Sequence, residues 1–289
     1  MVKIRRLKTQ DVDFVLESTQ REQWGHTKRD IERCFEYEPN GCFIAEQAKQ
    51  KLGHVFTVNY GELGWIGLLI VNPEHRGKGI GTTLMEKAID YLQRKGTKTI
   101  GLDAEQKAVP LYERFDFKKA YDSLRFRKQQ PRKTKGEQST ARNIFPLRKS
   151  DLKAVARFDS KFFGANRARV LQGIYDDFED KCWVAKRNRR ILGYIMSCQD
   201  GDICRIGPWV CRPKRLETAR ELFEACISAA NENIVEVRVG VLAANMDAVE
   251  LVESLGFVQI PNSVRMFRGK QAQVGDVMGV YGIAAPEIG

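Results

Sequence analysis

An internal repeat is the feature that most constrains how this chain can fold. Similar segments recur at a constant offset of 140 residues: 4–15 (IRRLKTQDVDFV) with 144–155 (IFPLRKSDLKAV), 42–45 (CFIA) with 182–185 (CWVA), and 108–117 (AVPLYERFDF) with 248–257 (AVELVESLGF). Agreement at one offset across both halves is improbable by chance. The sequence therefore predicts two copies of one domain, each of about 130 residues, which suits a chain of 289 residues.

A basic segment separates the two copies. Residues 125–149 contain nine Lys and Arg but one acid, so they carry most of the net charge of +11, and residues 129–140 contain no apolar residue. Such a segment is more typical of a solvated linker than of a nucleic-acid surface, which needs basic groups arrayed on a defined face. We expect a first domain at 1–128, a basic linker at 129–141, a second domain at 142–268 and a C-terminal tail at 269–289.

Composition and motif content exclude several classes of protein. With 43% hydrophobic and 29% charged residues the chain is typical of a globular protein, and no apolar run approaches membrane-spanning length. An apolar leader is absent from the first residues, so a cytoplasmic location is expected. Seven cysteines without a C-x-x-C spacing and three scattered histidines predict reduced thiols and no metal site. The four tryptophans lie among apolar residues and are predicted to pack in cores.

Hydrophobic periodicity predicts an α+β domain with a mixed sheet in the first copy. The last strands are expected as a pair within 117–126. The predicted strands and helices before that pair are strand 2–7, helices 11–22 and 28–38, strands 42–46, 52–59 and 65–71, an amphipathic helix with Ile80, Leu84, Ala88 and Leu92 on one face that closes with residues 94–96 (RKG), strand 99–103 and helix 108–114.

A glycine-rich loop lies between a buried strand and the first turn of a helix. Gly77, Gly79 and Gly81 allow the backbone to approach a ligand and leave amide groups free to point at it, while Arg76 and Lys78 add cationic donors. The spacing matches neither the dinucleotide fingerprint nor the P-loop. The loop is therefore predicted to bind a phosphate or pyrophosphate by another motif.

Two segments resemble motifs of the GNAT N-acetyltransferase superfamily. Residues 76–81 (RGKGIG) resemble its Arg/Gln-x-x-Gly-x-Gly/Ala motif, and residues 111–117 (LYERFDF) resemble its A-x-x-L-Y-x-x-x-G-F segment. This resemblance implies two tandem GNAT-like domains, each with a mixed, mostly antiparallel central sheet flanked by helices. The pair resembles tandem acetyltransferases whose second half is divergent.

The resemblance implies an acetyl-CoA-dependent N-acetyltransferase acting by direct attack on a primary amine of a small molecule or peptide. The resemblance also implies that the strand before the glycine loop splays. Tyr112 would be the general acid toward the coenzyme sulfur. The general base is unassigned, because strand 65–71 carries no carboxylate. Glu46 and Glu62 are candidates, but each is more typical of a solvated acid at a strand end or turn. The implied acetyl-CoA contacts are Ile70, Val71, Arg76, Gly77, Lys78, Gly79, Ile80, Gly81 and Thr82.

The two copies differ where the chemistry is expected. The second copy has residues 213–218 (PKRLET) in place of the glycine loop and Val252 in place of Tyr112. It is therefore predicted not to catalyse and not to bind coenzyme A in the usual way. In the first copy, Glu105 replaces an asparagine frequent in the family, which the second copy keeps as Asn245.

Other functions remain open on the sequence alone. The chain could be a non-catalytic acyl-CoA-binding regulatory module, or, less favoured, a nucleic-acid-associated protein that uses the basic linker. The tail has enough apolar residues to form a strand packed on one of the domains. The acceptor amine, the acyl-chain preference and the oligomeric state are not determined.

Overall fold

A computed structural model describes residues 2–129, 143–230, 233–269 and 274–289. Apart from Gln129, the predicted basic linker lies outside these residues. Within the described residues, no helix is long and apolar enough to cross a membrane.

The first half has the predicted order of elements, with one exception. Its elements are β1 (Lys3–Arg6), α1 (Val12–Arg21), α2 (Lys28–Tyr37), β2 (Phe43–Gln47), β3 (Gln50–Asn59), β4 (Leu63–Val71), α3 (Ile80–Arg94), β5 (Thr99–Glu105), α4 (Val109–Glu113) and β6 (Lys118–Gln129). The expected strand pair at the end is wrong, because β6 is one strand of 12 residues. It continues without a turn because it pairs with a neighbouring strand on each side.

The second half repeats this order, which confirms the duplication. Its elements are β7 (Ile144–Pro146), α5 (Leu152–Phe163), α6 (Ala168–Asp177), β8 (Cys182–Arg187), β9 (Arg190–Asp200), β10 (Ile203–Cys211), α7 (Leu216–Ser228), β11 (Glu236–Leu242), α8 (Met246–Ser254) and β12 (Val258–Gly269). A short strand, β13 (Val280–Gly282), follows near the C-terminus. The mixed sheet flanked by helices confirms the α+β class.

Local sequence accounts for the helix behind the glycine loop. Ile80, Leu84, Ala88 and Leu92 recur every four residues and are all buried, so α3 packs one apolar stripe against the sheet. Gly96, at φ +85°, follows the helix and ends it in the left-handed conformation that glycine adopts most easily. The chain then turns directly into β5.

The thirteen strands of the described residues form one sheet, in which the two halves exchange their last strands and β13 pairs with β10 beside the main order. The order is β1-β2-β3-β4-β5-β12-β6-β11-β10-β9-β8-β7. Strand β12 of the second half pairs antiparallel with β5 of the first, and β6 of the first half pairs antiparallel with β11 of the second. The predicted boundaries follow the repeat in sequence, whereas sheet pairing assigns one strand of each copy to the other.

The halves also share a hydrophobic core. One cluster joins Leu7 and Val15 of the first half to Val155 and Leu171 of the second, and it includes Ile288 of the tail. Ion pairs cross the same boundary at the surface of α2, where Arg29 and Arg33 contact Asp177. We conclude that the two copies form a single packed body.

The C-terminal segment, residues 274–289, contacts both halves. Strand β13 pairs antiparallel with β10 of the second half. Farther on, the Trp65 indole N–H donates to the Pro286 carbonyl at 2.8 Å, and the Tyr60 hydroxyl donates to the Ile288 carbonyl at 2.8 Å. The segment therefore connects β10 of the second half to β4 of the first.

Candidate active site

Strands β4 and β5 diverge ahead of the glycine loop. They pair in parallel only from Leu63 to Trp65, opposite Thr99 to Gly101. Past this point β4 shifts register against β3, and Leu68 has a φ of +48°, which distorts the strand. The edge of β4 from 66 to 71 is thereby released from β5 and faces a cleft.

The cleft has a volume of about 650 Å³. It brings together every site residue predicted from the sequence except Lys78. The lining residues are Glu22, Trp24, Ile66, Gly67, Leu68, Leu69, Ile70, Val71, His75, Arg76, Gly77, Gly79, Ile80, Gly81, Thr82, Asp103, Glu105, Lys107, Ala108, Leu111, Tyr112 and Arg114.

The glycine loop leaves space and amide groups at one end of the cleft. Gly77 and Gly79 have φ angles of +75° and +79°, and a Cβ atom on either would meet no other atom within 4 Å. Their backbone conformation, rather than crowding, therefore requires glycine. Helix α3 begins at Ile80 without a side-chain cap, so the amides of its first turn are available to an anion.

The two cations of the loop differ in position. The Arg76 Nε donates to the Val71 carbonyl at 2.9 Å, and its Nη2 pairs with Glu22. The Lys78 Nζ instead donates to the Glu74 carbonyl at 2.9 Å, outside the lining of the cleft. In this conformation only Arg76 of the two borders the cleft, and its guanidinium is paired with the Glu22 carboxylate.

Tyr112 lies in the wall of the cleft, on α4. Its side chain is buried and packs edge-on against Phe117. Burial, together with the charge of the nearby Glu105, raises the pKa of Tyr112 well above its ordinary value. The phenol is protonated at neutral pH, as an ordinary tyrosine is, and the raised pKa makes it a weaker acid than a free tyrosine.

Three carboxylates that line the cleft were not predicted as site residues: Glu105, Glu22 and Asp103. Glu105 ends β5, where its Oε1 accepts a hydrogen bond from the Trp24 indole N–H at 2.9 Å and its Oε2 pairs with Lys107 at 2.9 Å. Glu22 follows α1 and pairs with Arg76. The replacement of the family's asparagine at 105 was a signal in the sequence, whereas nothing local distinguished Glu22.

The tryptophan prediction is confirmed in part. Trp65 and Trp209 are fully buried in the cores. Trp24 is only partly buried and borders the cleft, because it lies in the connection from α1 to α2 that closes over Glu105. Its polar edge contributes a hydrogen bond to the site as well as packing.

The carboxylates considered as a base from sequence lie elsewhere. Glu46 pairs with Arg5 at 2.6 Å on the outer part of the sheet. Glu62 is exposed and pairs with Lys98 in the turn before β4. Neither residue lines the cleft. Glu62 lies at the opposite end of β4 from the glycine loop, and Glu46 lies on β2, which β3 separates from β4.

Asp103 lines the cleft as the acidic member of a buried ionic cluster where the exchanged strands meet. The Asp103 side chain is fully buried and pairs with Arg265 of β12 at 2.8 Å and with Arg125 of β6 at 3.3 Å. Burial opposes ionisation of Asp103, but the two guanidinium groups outweigh it and hold the pKa of that carboxyl below its ordinary value. Asp103 thus borders the cleft as a paired, ionised carboxylate.

Comparison with known proteins places this geometry in a family. The model described as "Acetyltransferase (GNAT) family" matches residues 9–117, and the model described as "Acetyltransferase (GNAT) domain" matches residues 155–282. The chain belongs to the GNAT acetyltransferase family. It is an acyltransferase made of two GNAT domains in tandem, as the resemblance of its motifs implied.

Related GNAT proteins share both halves. Holothin acyltransferase from Pseudoalteromonas sp. (strain SANK 73390) is 25% identical over 273 residues, which cover 93% of this chain and 88% of that one. A putative acetyltransferase structure from Pyrococcus horikoshii has a TM-score of 0.82 at 22% identity, covering 100% and 96% of the two chains. A tandem GNAT protein of the clavulanic acid biosynthesis pathway has a TM-score of 0.64 at 12% identity, covering 93% and 98%.

The site of the first GNAT domain fits the acyl-CoA co-substrate that the family implies. The released edge of β4 offers backbone hydrogen bonds to an extended chain, and the glycine loop leaves open space before the uncapped start of α3. Arg76 stands at the same end. Among the described residues no group of His, Cys, Asp and Glu side chains is arranged to hold a metal ion.

Proposed function

We propose that this protein is an acetyl-CoA-dependent N-acetyltransferase that transfers the acetyl group to a primary amine of a small molecule or peptide by direct attack. The observation that carries the proposal is the cleft between the diverging strands β4 and β5, which has an anion-binding loop at one end and a protonated tyrosine in its wall. Holothin acyltransferase, similar over both halves, supports a small acceptor.

The glycine loop and β4 would hold the co-substrate. The amides of residues 77–82, with Arg76, suit the two charges of a pyrophosphate, and the backbone of Ile70 and Val71 suits an extended amide-containing arm. Because Arg76 pairs with Glu22 in this conformation, binding of pyrophosphate would exchange one anionic partner for another.

The residues around the thioester would then provide charge stabilisation and a proton. The backbone N–H of Val71, or of its neighbour, would stabilise the negative charge that develops on the attacked carbonyl oxygen. Tyr112, which lines the cleft with its phenol protonated at neutral pH, would donate its proton to the departing sulfur. Acetyl-CoA supplies the activated acyl group when it is bound.

Glu105 is the side chain that we assign to the acceptor amine. Its carboxylate faces the cleft close enough to Tyr112 to raise the tyrosine pKa, and Trp24 fixes one of its oxygens. An amine attacks only in its neutral form, so a carboxylate that accepts the ammonium proton would promote the reaction. Lys107 holds the other oxygen and keeps the carboxylate oriented.

The test is an assay of acetyl-CoA turnover with a panel of primary amines, in which release of the free thiol is measured. Thiol release that depends on the amine, together with an acetylated product, is the expected result. Coenzyme binding without acetyl transfer to any amine would contradict the proposal and favour a non-catalytic acyl-CoA-binding module. Longer acyl-CoA thioesters in the same assay would establish the acyl-chain preference.

A further inference from the structure

The second half contains the same divergence of strands that forms the cleft in the first half. Strands β10 and β11, which correspond to β4 and β5 in the repeat, pair in parallel from Ile203 to Ile206, opposite Glu236 to Val239. Beyond Ile206 they separate, and β10 also shifts register against β9. A groove of the kind that faces the cofactor site in the first half is therefore present in the second.

The C-terminal segment fills this groove. On one side β13 pairs antiparallel with β10, with Trp209 opposite Gly282 and Val210 opposite Val280. On the other side the Ile283 N–H donates to the Gly240 carbonyl of β11 at 2.9 Å. A stretch of peptide thus bonds to both diverging strands, and its Val280, Tyr281 and Ile283 side chains are buried.

Asn245 holds the filled groove closed. It stands at the position of Glu105 in the repeat, and its Nδ2 donates to the carbonyls of Met278 at 3.1 Å and Val280 at 3.0 Å. Its Oδ1 accepts from the Ala248 N–H at the start of α8. The side chain is fully buried, so each of these hydrogen bonds is shielded from water.

The fit is close along the backbone of the segment. A Cβ atom on Gly279 would lie 2.2 Å from the Phe162 ring, and one on Gly207 would lie 1.9 Å from the Ile283 carbonyl oxygen. The loop after β10 lacks glycine, so the anion-binding end of the groove is missing as well. The second groove is shaped for a peptide strand rather than for a phosphate-bearing molecule.

The same segment continues to the first half's cleft. Trp65 donates to the Pro286 carbonyl at the point where β4 leaves β5. Gly67, which borders the cleft, contacts Glu287 so closely that a Cβ atom would lie 2.5 Å from the Glu287 Cα. Glu287 also pairs with His26, in the connection that carries Trp24.

We propose that the β10–β11 groove is a peptide-binding site whose ligand is the chain's own segment 277–283, which occupies the place that the acyl-CoA arm takes in the first half. Binding of this segment in the groove positions residues 286–289 against β4. There they support the side of the first cleft that would receive the acceptor amine. The chain accordingly binds one acyl-CoA. The effect on turnover rests on the proposed function, whereas the occupancy of the groove does not.

The first experiment compares Asn245→Ala with Asn40→Ala, a matched change at an exposed asparagine. Loss of two buried hydrogen bonds should speed amide exchange at residues 280–283 by roughly tenfold or more in Asn245→Ala and leave it unchanged in Asn40→Ala. Equal exchange rates in the two variants would overturn the assignment of the groove.

Calorimetry on the intact chain supplies a readout that is independent of turnover. One acyl-CoA per chain, lost in a Gly79→Asp variant, is the expected stoichiometry. Two equivalents, the second abolished by substitutions in β10 or β11, would show that coenzyme displaces the segment and would overturn the proposal. If only the proposed N-acetyltransferase function is wrong, turnover will be absent, while the amide exchange at 280–283 and the binding of one acyl-CoA per chain will be as expected above.

A second variant tests the positioning role without disturbing the groove. Deletion of residues 286–289 removes Ile288 from the shared core but spares the residues of β13, so exchange at 280–283 should stay slower than in Asn245→Ala. We expect the KM for the amine to rise several-fold while the KM for acetyl-CoA is unchanged, because the deleted residues lie against β4 and not against the glycine loop. Unchanged kinetics for both substrates would refute the positioning role.

Discussion

The clefts of the two halves come from the same repeat but have opposite contents. In the first half, β4 and β5 diverge around about 650 Å³ of open space that ends at a glycine loop. In the second half, β10 and β11 diverge around the chain's own peptide. The divergence of strands is therefore a property of the fold, and the residues at its mouth decide what it holds.

The largest expected effect comes from closing the glycine loop of the first half. Gly79→Asp forces a left-handed backbone on a residue with a side chain and places a negative charge at the start of α3. We expect acetyl-CoA affinity, measured by calorimetry, to fall by about a thousandfold, or about 4 kcal/mol. Gly201→Asp is the control, since Gly201 has a similar φ of +64° and also open space around it, but lies in the second half.

The next effect concerns the buried carboxylate that the second half does not have. Asp103 corresponds to Ala243 in the repeat. Asp103→Ala would leave Arg265 and Arg125 buried without their anion, and we expect the free energy of unfolding by denaturant to fall by about 3–5 kcal/mol.

The pH dependence of that loss has a definite sign. The pKa of Asp103 is lowered in the folded state, so its stabilisation is present above the ordinary aspartate pKa and is lost as the pH falls through the folded value. The stability difference between wild type and Asp103→Ala should therefore shrink in acid. A difference that grows as the pH falls would contradict the ionised assignment.

Removal of the tyrosine hydroxyl sharpens the catalytic part of the comparison, because the second half has Val252 at this position. Tyr112→Phe should lower kcat by about a hundredfold with little change in the KM for acetyl-CoA. Tyr91→Phe is the control, because Tyr91 is partly buried and its hydroxyl donates to Glu38 away from the cleft. Equal kcat in the two variants would rule out the proton-donor role.

A smaller effect is expected at the position where the halves carry Glu105 and Asn245. Glu105→Gln keeps the shape and the Trp24 hydrogen bond but removes the charge, so kcat/KM for the amine should fall about tenfold at neutral pH. The loss should diminish at higher pH, where the amine is neutral without help. A pH-independent loss would instead indicate a positioning role.

The smallest effect separates the two partners of Arg76. Glu22→Gln should release the guanidinium, and we expect acetyl-CoA to bind about threefold more tightly. Weaker binding in this variant would show that Glu22 orients Arg76 for the co-substrate rather than competing with it. Glu62→Gln, which breaks an exposed pair with Lys98, is the matched control.

The sequence by itself determined the duplication, the order of elements and the glycine loop, since each depends on local chemistry. The four-residue spacing from Ile80 to Leu92 specified a helix with one buried face. The positive φ angles of Gly77 and Gly79 required residues without a Cβ atom, which the loop displays in one short motif.

Tertiary structure decided the rest, because the decisive contacts join residues far apart in the chain. The exchange of β6 and β12 depends on which strand edges meet, and a strand's own sequence does not name its partner. Glu22 and Glu105 became site residues only when α1 and β5 met across the cleft. The tail was predicted to contain a strand, but only the tertiary structure placed it between β10 and β11. These two strands diverge there, which leaves backbone N–H and C=O groups with which the tail forms hydrogen bonds.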